Sequence, residues 1–125
     1  GHLPRLGVLC CPGVPAGYNI DVVPLLTVEI IAKFEAHPFH SQEEKGFDAE
    51  VLVKYFNPMG AGTWLITEAE REGDDWRLFG YCHLFEWEWG YVMLSDLQEI
   101  RLPFGLTIEQ DLYLPEPATI KDAVY

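Results

Sequence analysis

The chain has 125 residues, eight Lys and Arg against twenty Asp and Glu, and a net charge of −12. That length suits one domain, and 49% apolar with 14% aromatic residues excludes a disordered chain. The charge sets the protein against nucleic-acid phosphates and anionic membranes, and no apolar run reaches the roughly 18 residues of a membrane span.

Residues 1–24 hold Pro4, Pro12, Pro15 and Pro24 together with Gly7, Gly13 and Gly17. Such a density reads as an irregular lead-in. Gly1-His2 reads as the remnant of a cleaved expression tag and is set aside from fold reasoning. Arg5 and Asp21 are the charges of this stretch, so the whole −12 falls on residues 25–125. Cys10, Cys11 and Cys82 form an odd set without framework spacing. Adjacent cysteines rarely bond to each other, and the expected compartment is a reducing cytoplasm.

After Pro24, LLTVEIIAKFEAH predicts a helix from about 27 to 36. Thr27 is its N-cap, Glu29 sits in the dipole-favoured first turn, and Pro38 lies beyond its end. HPFHSQEEKG (37–46) reads as a polar connection. DAEVLVKYFNP (48–58) predicts a strand, and TWLITEAE (63–70) a second, with Trp64, Ile66 and Glu68 sharing a face. EREGDD (70–75) is a charged hairpin loop, WRLFGYCHLF (76–85) a third strand and EWEWGYVML (86–94) a fourth. Connections this short imply an antiparallel meander. Ser95 and Gln98 have capping-box spacing, opening a short helix from about 96 to 100 that Pro103 and Gly105 close. LTIEQDLYL (106–114) adds a last short strand, and residues 118–125 are expected as a C-terminal tail, either bound to the surface or frayed. The expectation is one α+β domain over 25–117. Its curved antiparallel meander has four to five strands, an N-terminal helix and a short helix after the fourth strand.

About three quarters of the chain, from Leu25 to Pro117, resembles a bacterial family known only as a domain of unknown function, DUF2958. The resemblance is carried by LLTVEI (25–30), SQEEKG (41–46), VKYFNP (53–58), TWLITE (63–68), LFGY (78–81), WGYVMLSDL (89–97) and GLTIEQDLYLP (105–115). It implies a small cytoplasmic protein of the kind carried by bacterial plasmids and integrated mobile elements. It supplies no activity and no site residues. HPFH (37–40) and MGAG (59–62) depart from the family pattern, which would alter specificity if those loops touch a partner.

The alternation Glu86, Trp87, Glu88, Trp89 invites a chemical reading. Residues two apart on a strand lie about 6.6 Å apart, and two carboxylates at that distance repel by about 2.4 kcal/mol at an effective dielectric near 20. One of them then becomes a candidate general acid, at a separation that fits paired glycosidase carboxylates. The plainer reading is a strand with Trp inward and Glu outward. Glu68, Glu109 and Asp111 complete the candidate acidic group, which would suit Mg²⁺ or Ca²⁺ if enough oxygens converged, although no DxDxDG loop is present.

His37 and His40 have a metal-like spacing, but Pro38 between them disfavours a shared helical face. Cys82 and His83 point to opposite faces of a strand. MGAGTW lacks the Lys and Ser/Thr of a phosphate loop, and no G-x-S-x-G occurs. No cofactor and no metal site is therefore assigned.

Trp64, Trp87, Trp89 and Tyr91 are the candidate binding aromatics, since an aromatic patch with an acidic rim suits a protein partner. The leading expectation is a non-enzymatic interaction module that engages a basic protein, with a DNA mimic as its sharper form. The alternative is a small hydrolase-like enzyme, or a cation site, built on the five carboxylates.

Overall fold

A computed structural model describes residues 25–115 and 117–124. The lead-in, with Gly1-His2, Cys10 and Cys11, lies outside the described residues.

Helix α1 (Val28–Ala36) starts where its cap requires: the Thr27 hydroxyl accepts the Ile30 N–H at 3.2 Å. Ile30 and Phe34, four apart, turn inward. The strands follow as β1 (Val53–Phe56), β2 (Thr63–Glu72), β3 (Asp75–His83) and β4 (Trp87–Met93), all antiparallel neighbours in succession. β5 (Glu109–Gln110) returns to pair with β1, so the sheet order is β4-β3-β2-β1-β5. The fold is thus α+β on one open antiparallel sheet, as the patterning implied. The Gly73-Asp74 turn between β2 and β3 is shorter than the expected charged loop, with Gly73 at φ +63°, a conformation that hairpin turns need and glycine supplies freely.

One face of the sheet carries the main core. Val53 and Tyr55 of β1, Trp64, Ile66 and Ala69 of β2, and Trp76 and Leu78 of β3 pack under α1 and under α2 (Leu94–Glu99), which contributes Leu94 and Leu97. Phe34 meets Trp76 with ring centroids 5.2 Å apart. Burial raises the Tyr55 phenol well above its usual range, and its hydroxyl donates to the Leu25 carbonyl.

The opposite face is covered differently. A 3₁₀ segment, Glu43–Asp48, and a last turn, α3 (Ile120–Ala123), lie over a small cluster of Ala49, Val51, Leu65 and Ile120.

Sequence expectations change at several points. The β2–β3 register shifts between Ile66 and Glu68, leaving Thr67 as an extra residue. Glu68 therefore does not share a face with Trp64 and Ile66; Ala69 takes that place.

Ser95 does not cap α2. Its hydroxyl and its N–H both go to the Asp75 carboxylate, which also accepts the Trp76 N–H at 2.7 Å. An acid from the β3 start, twenty residues upstream, thus serves the helix N-terminus.

Of the two forms expected for the tail, the described residues 118–124 take the bound one. Thr119 bridges Glu50, Thr119 and Asp122 form a reciprocal capping box, and Ile120 is fully buried.

β2 and β3 approach so closely at Gly80 that an added Cβ would stand 2.0 Å from the Leu65 carbonyl oxygen. The Gly80→Ala change is expected to destabilise the fold by about 3 kcal/mol or more, as a lowered urea midpoint. A midpoint equal to wild type would contradict this packing.

Candidate functional site

The bulge at Thr67 delivers Glu68 to the second face, where the carboxylate is 4% exposed as a residue yet carries no ion pair to a described lysine or arginine. Its two oxygens accept the backbone N–H groups of His40 and Gln42, at 2.9 and 3.0 Å. His40 is held at φ +75°, a left-handed conformation costly for a residue with a side chain. The bond to Glu68 helps hold it there.

Gln42 is equally buried and fully used. Its amide donates to the carbonyls of Glu50 and Thr67 at 2.9 and 2.7 Å, and its Oε1 accepts the Glu50 N–H at 2.7 Å. The stretch expected as a polar connection is therefore a buried polar clamp that pins segment 40–50 to the bulge.

Beside this clamp lies an aromatic layer. On the second face, register pairs Phe79 with Tyr91, Tyr81 with Trp89, and His83 with Trp87. The ring centroids of these pairs lie 4.9, 4.9 and 5.1 Å apart. Phe79 and Trp89 are nearly parallel at 5.6 Å, and Phe47 of the 3₁₀ segment stacks on Trp89 at 6.1 Å. The layer is incompletely covered: Trp89 is 38%, Phe47 51% and Tyr91 61% exposed. A cleft of about 220 Å³ opens between it and the clamp, lined by Gln42, Glu43, Gly46, Glu68, Phe79 and Trp89.

The alternation in EWEW is real, but its inward face is not the main core. Trp87 and Trp89 turn to the aromatic layer, and Glu88 lies opposite Cys82 on the helix-covered side. Glu86 falls in the bend before β4 and is exposed.

The five candidate carboxylates do not meet. Glu86 and Glu88 are at the β4 edge, Glu109 and Asp111 at or beside β5 on the other, about four strand spacings or 19 Å away across the sheet. Asp111 pairs with Lys54 at 3.4 Å and accepts the Tyr113 N–H at 2.9 Å. Among the described residues no group of three or more His, Cys, Asp or Glu is placed to hold a metal ion. His37 donates its Nδ1–H to the Lys33 carbonyl at 2.9 Å, and His40 meets Glu43 at 2.6 Å, so the two rings serve separate partners.

Of the candidate binding aromatics, Trp87, Trp89 and Tyr91 stand together, while Trp64 is buried in the main core. Sequence reasoning missed Gln42, Glu43, Gly46 and Phe79. SQEEKG marked the first three as part of a shared pattern, but nothing in it showed that the loop folds back on β2.

The chain belongs to the family described as protein of unknown function (DUF2958), whose model matches residues 25–123. No curated protein and no solved structure matches it. Among the described residues, no helix is long and apolar enough to cross a membrane.

Removing either half of the clamp leaves buried backbone groups unpaired. Gln42→Ala and Glu68→Ala are each expected to lower stability by about 2–4 kcal/mol in urea titrations; a loss below about 0.5 kcal/mol would mark the clamp as dispensable.

Cys82 offers a separate check. Burial, and then the charge of Glu88, push its thiol up to about 12 from an ordinary 9.0. The folded thiol keeps its proton while the unfolded one ionises, so stability present below pH 9.0 is lost as the pH rises toward 12. In a Cys10→Ser/Cys11→Ser background, iodoacetamide at pH 8 is expected to label Cys82 far more slowly than the unfolded chain, and Glu88→Gln to speed that labelling.

Proposed function

We propose that this protein is a non-enzymatic binding module that docks a basic protein through the aromatic face of its sheet. The observation that carries the reading is the half-covered layer of Phe47, Phe79, Trp89 and Tyr91, with the exposed acids Glu43, Glu44 and Asp48 on the adjoining 3₁₀ segment. Aromatic side chains give large contact area at small entropic cost, and the acidic surround steers a basic partner toward them. The net charge of −12 acts in the same direction and disfavours direct nucleic-acid binding.

A DNA mimic calls for carboxylates spaced like phosphates along one elongated face. An aromatic centre with carboxylates around it favours a partner that offers basic and apolar side chains together. The enzyme or Mg²⁺/Ca²⁺ alternative calls for converging carboxylates, and the separation of Glu86 and Glu88 from Glu109 and Asp111 favours binding instead. The family resemblance supports a bacterial setting, a cytoplasmic location and an association with mobile elements.

The test is photocrosslinking in the native cell, with benzoylphenylalanine in place of Tyr91 and adducts identified by mass spectrometry. The expected product is one discrete adduct with a basic protein, lost when Trp89→Ala is added and weakened by salt during capture. Adducts with nucleic acid alone, or none above background, would refute the docking reading.

A further inference from the structure

We infer that the cleft beside the aromatic layer receives an arginine side chain of the docked partner, with its guanidinium against Glu68 and stacked on Trp89. The inference rests on the docking reading above and names what the cleft holds. Glu68 is nearly buried, lines the cleft, and is met by two neutral N–H donors. A carboxylate has about four acceptor sites, so each oxygen keeps capacity for another donor.

Several of the described cations are engaged elsewhere, Arg101 with the carbonyls of Gln98 and Ile100 among them. Lys54 pairs with Asp111, Arg77 with Glu72 and Lys121 with Asp48, while Arg71 lies over the Trp76 ring. Glu68 has no cationic partner among the described ion pairs, which leaves its charge open to a cation from outside.

The walls choose among cations. Phe79 and Trp89 line the same cleft within 8° of parallel, and an aromatic wall attracts a cation over its face. A guanidinium is flat, weakly hydrated and rich in donors, so it can stack on a ring while bonding a carboxylate. An ammonium is compact and strongly hydrated, and loses more on entry. Glu43, on the rim, adds a second negative charge along the approach.

The test is an NMR titration of the ¹⁵N-labelled full chain with N-acetyl-arginine amide. N-acetyl-citrulline amide serves as the uncharged isostere and N-acetyl-lysine amide as the ammonium control. Arginine is expected to give saturable shifts of the Trp89 indole N–H and of the Gly46 and Glu68 amides. Lysine is expected to bind more weakly and citrulline not at all. Glu68→Gln sets an amide donor against the N–H of His40 or Gln42 and is expected to lower stability, so Trp89→Leu, at a half-exposed position, carries the test. It should weaken arginine binding about tenfold with the amide spectrum otherwise preserved.

An equal response to citrulline, or shifts confined to Trp87 and Tyr91, would overturn the cleft assignment and leave the docking face standing. Absence of any saturable shift would overturn it too, and the Tyr91 crosslink then judges the docking reading by itself.

Discussion

Thr67 has no partner in the β2–β3 ladder, and this one extra residue decides what each face of the sheet carries. With strict alternation, Glu68 would sit beside Ile66 among the apolar side chains under α1, where an unpaired carboxylate costs several kcal/mol. The bulge gives that place to Ala69 and turns the carboxylate toward segment 40–50. The same irregularity leaves the Thr67 carbonyl free of the ladder, and the Gln42 amide takes it. Bulge, carboxylate and glutamine thus form one polar unit in which each member satisfies a group that another leaves exposed. It also fixes the entry to β1, since Gln42 holds both the N–H and the carbonyl of Glu50.

The two faces are covered by different means, and the difference shapes the candidate site. α1 and α2 lay regular apolar stripes over the first face, and its central residues are fully buried. Among the described residues the second face is covered by short, irregular pieces: a 3₁₀ segment and a single-turn α3. These reach far enough to bury Leu65 and Ile120 but leave Trp89 and Tyr91 partly open. The cleft lies at the limit of that cover, where the polar clamp ends and the aromatic pairs begin.

What was legible in the sequence was whatever depends on near neighbours. Thr27 caps α1 as its position implied, and the short connections gave the meander. The period-2 pattern of Glu86 to Trp89 correctly set Trp and Glu on opposite sides from Trp87 onward, yet could not say which side holds the larger core, since both faces of this sheet are partly covered. Ser95 looked like a cap because spacing alone cannot reveal that Asp75 arrives from a distant strand. The bulge was invisible for the same reason: TWLITEAE reads equally well with or without an extra residue, and what stabilises the irregular form is Gln42, twenty-five residues upstream of Thr67. The five carboxylates were grouped by type, while the sheet order that separates them emerged with β5 crossing to β1.

Among the described residues β4 ends the sheet on one side, and part of its backbone N–H and C=O groups has no described strand to bond. An edge of this kind is a template for another copy of itself. Glu88 stands on that edge and Glu86 just before it, both exposed. If two such edges came together antiparallel, carboxylates would be brought close to carboxylates before the ladder could close. The glutamates of EWEW thus set like charges beside the edge of a tryptophan-rich strand, where they would oppose its pairing with a second copy of itself.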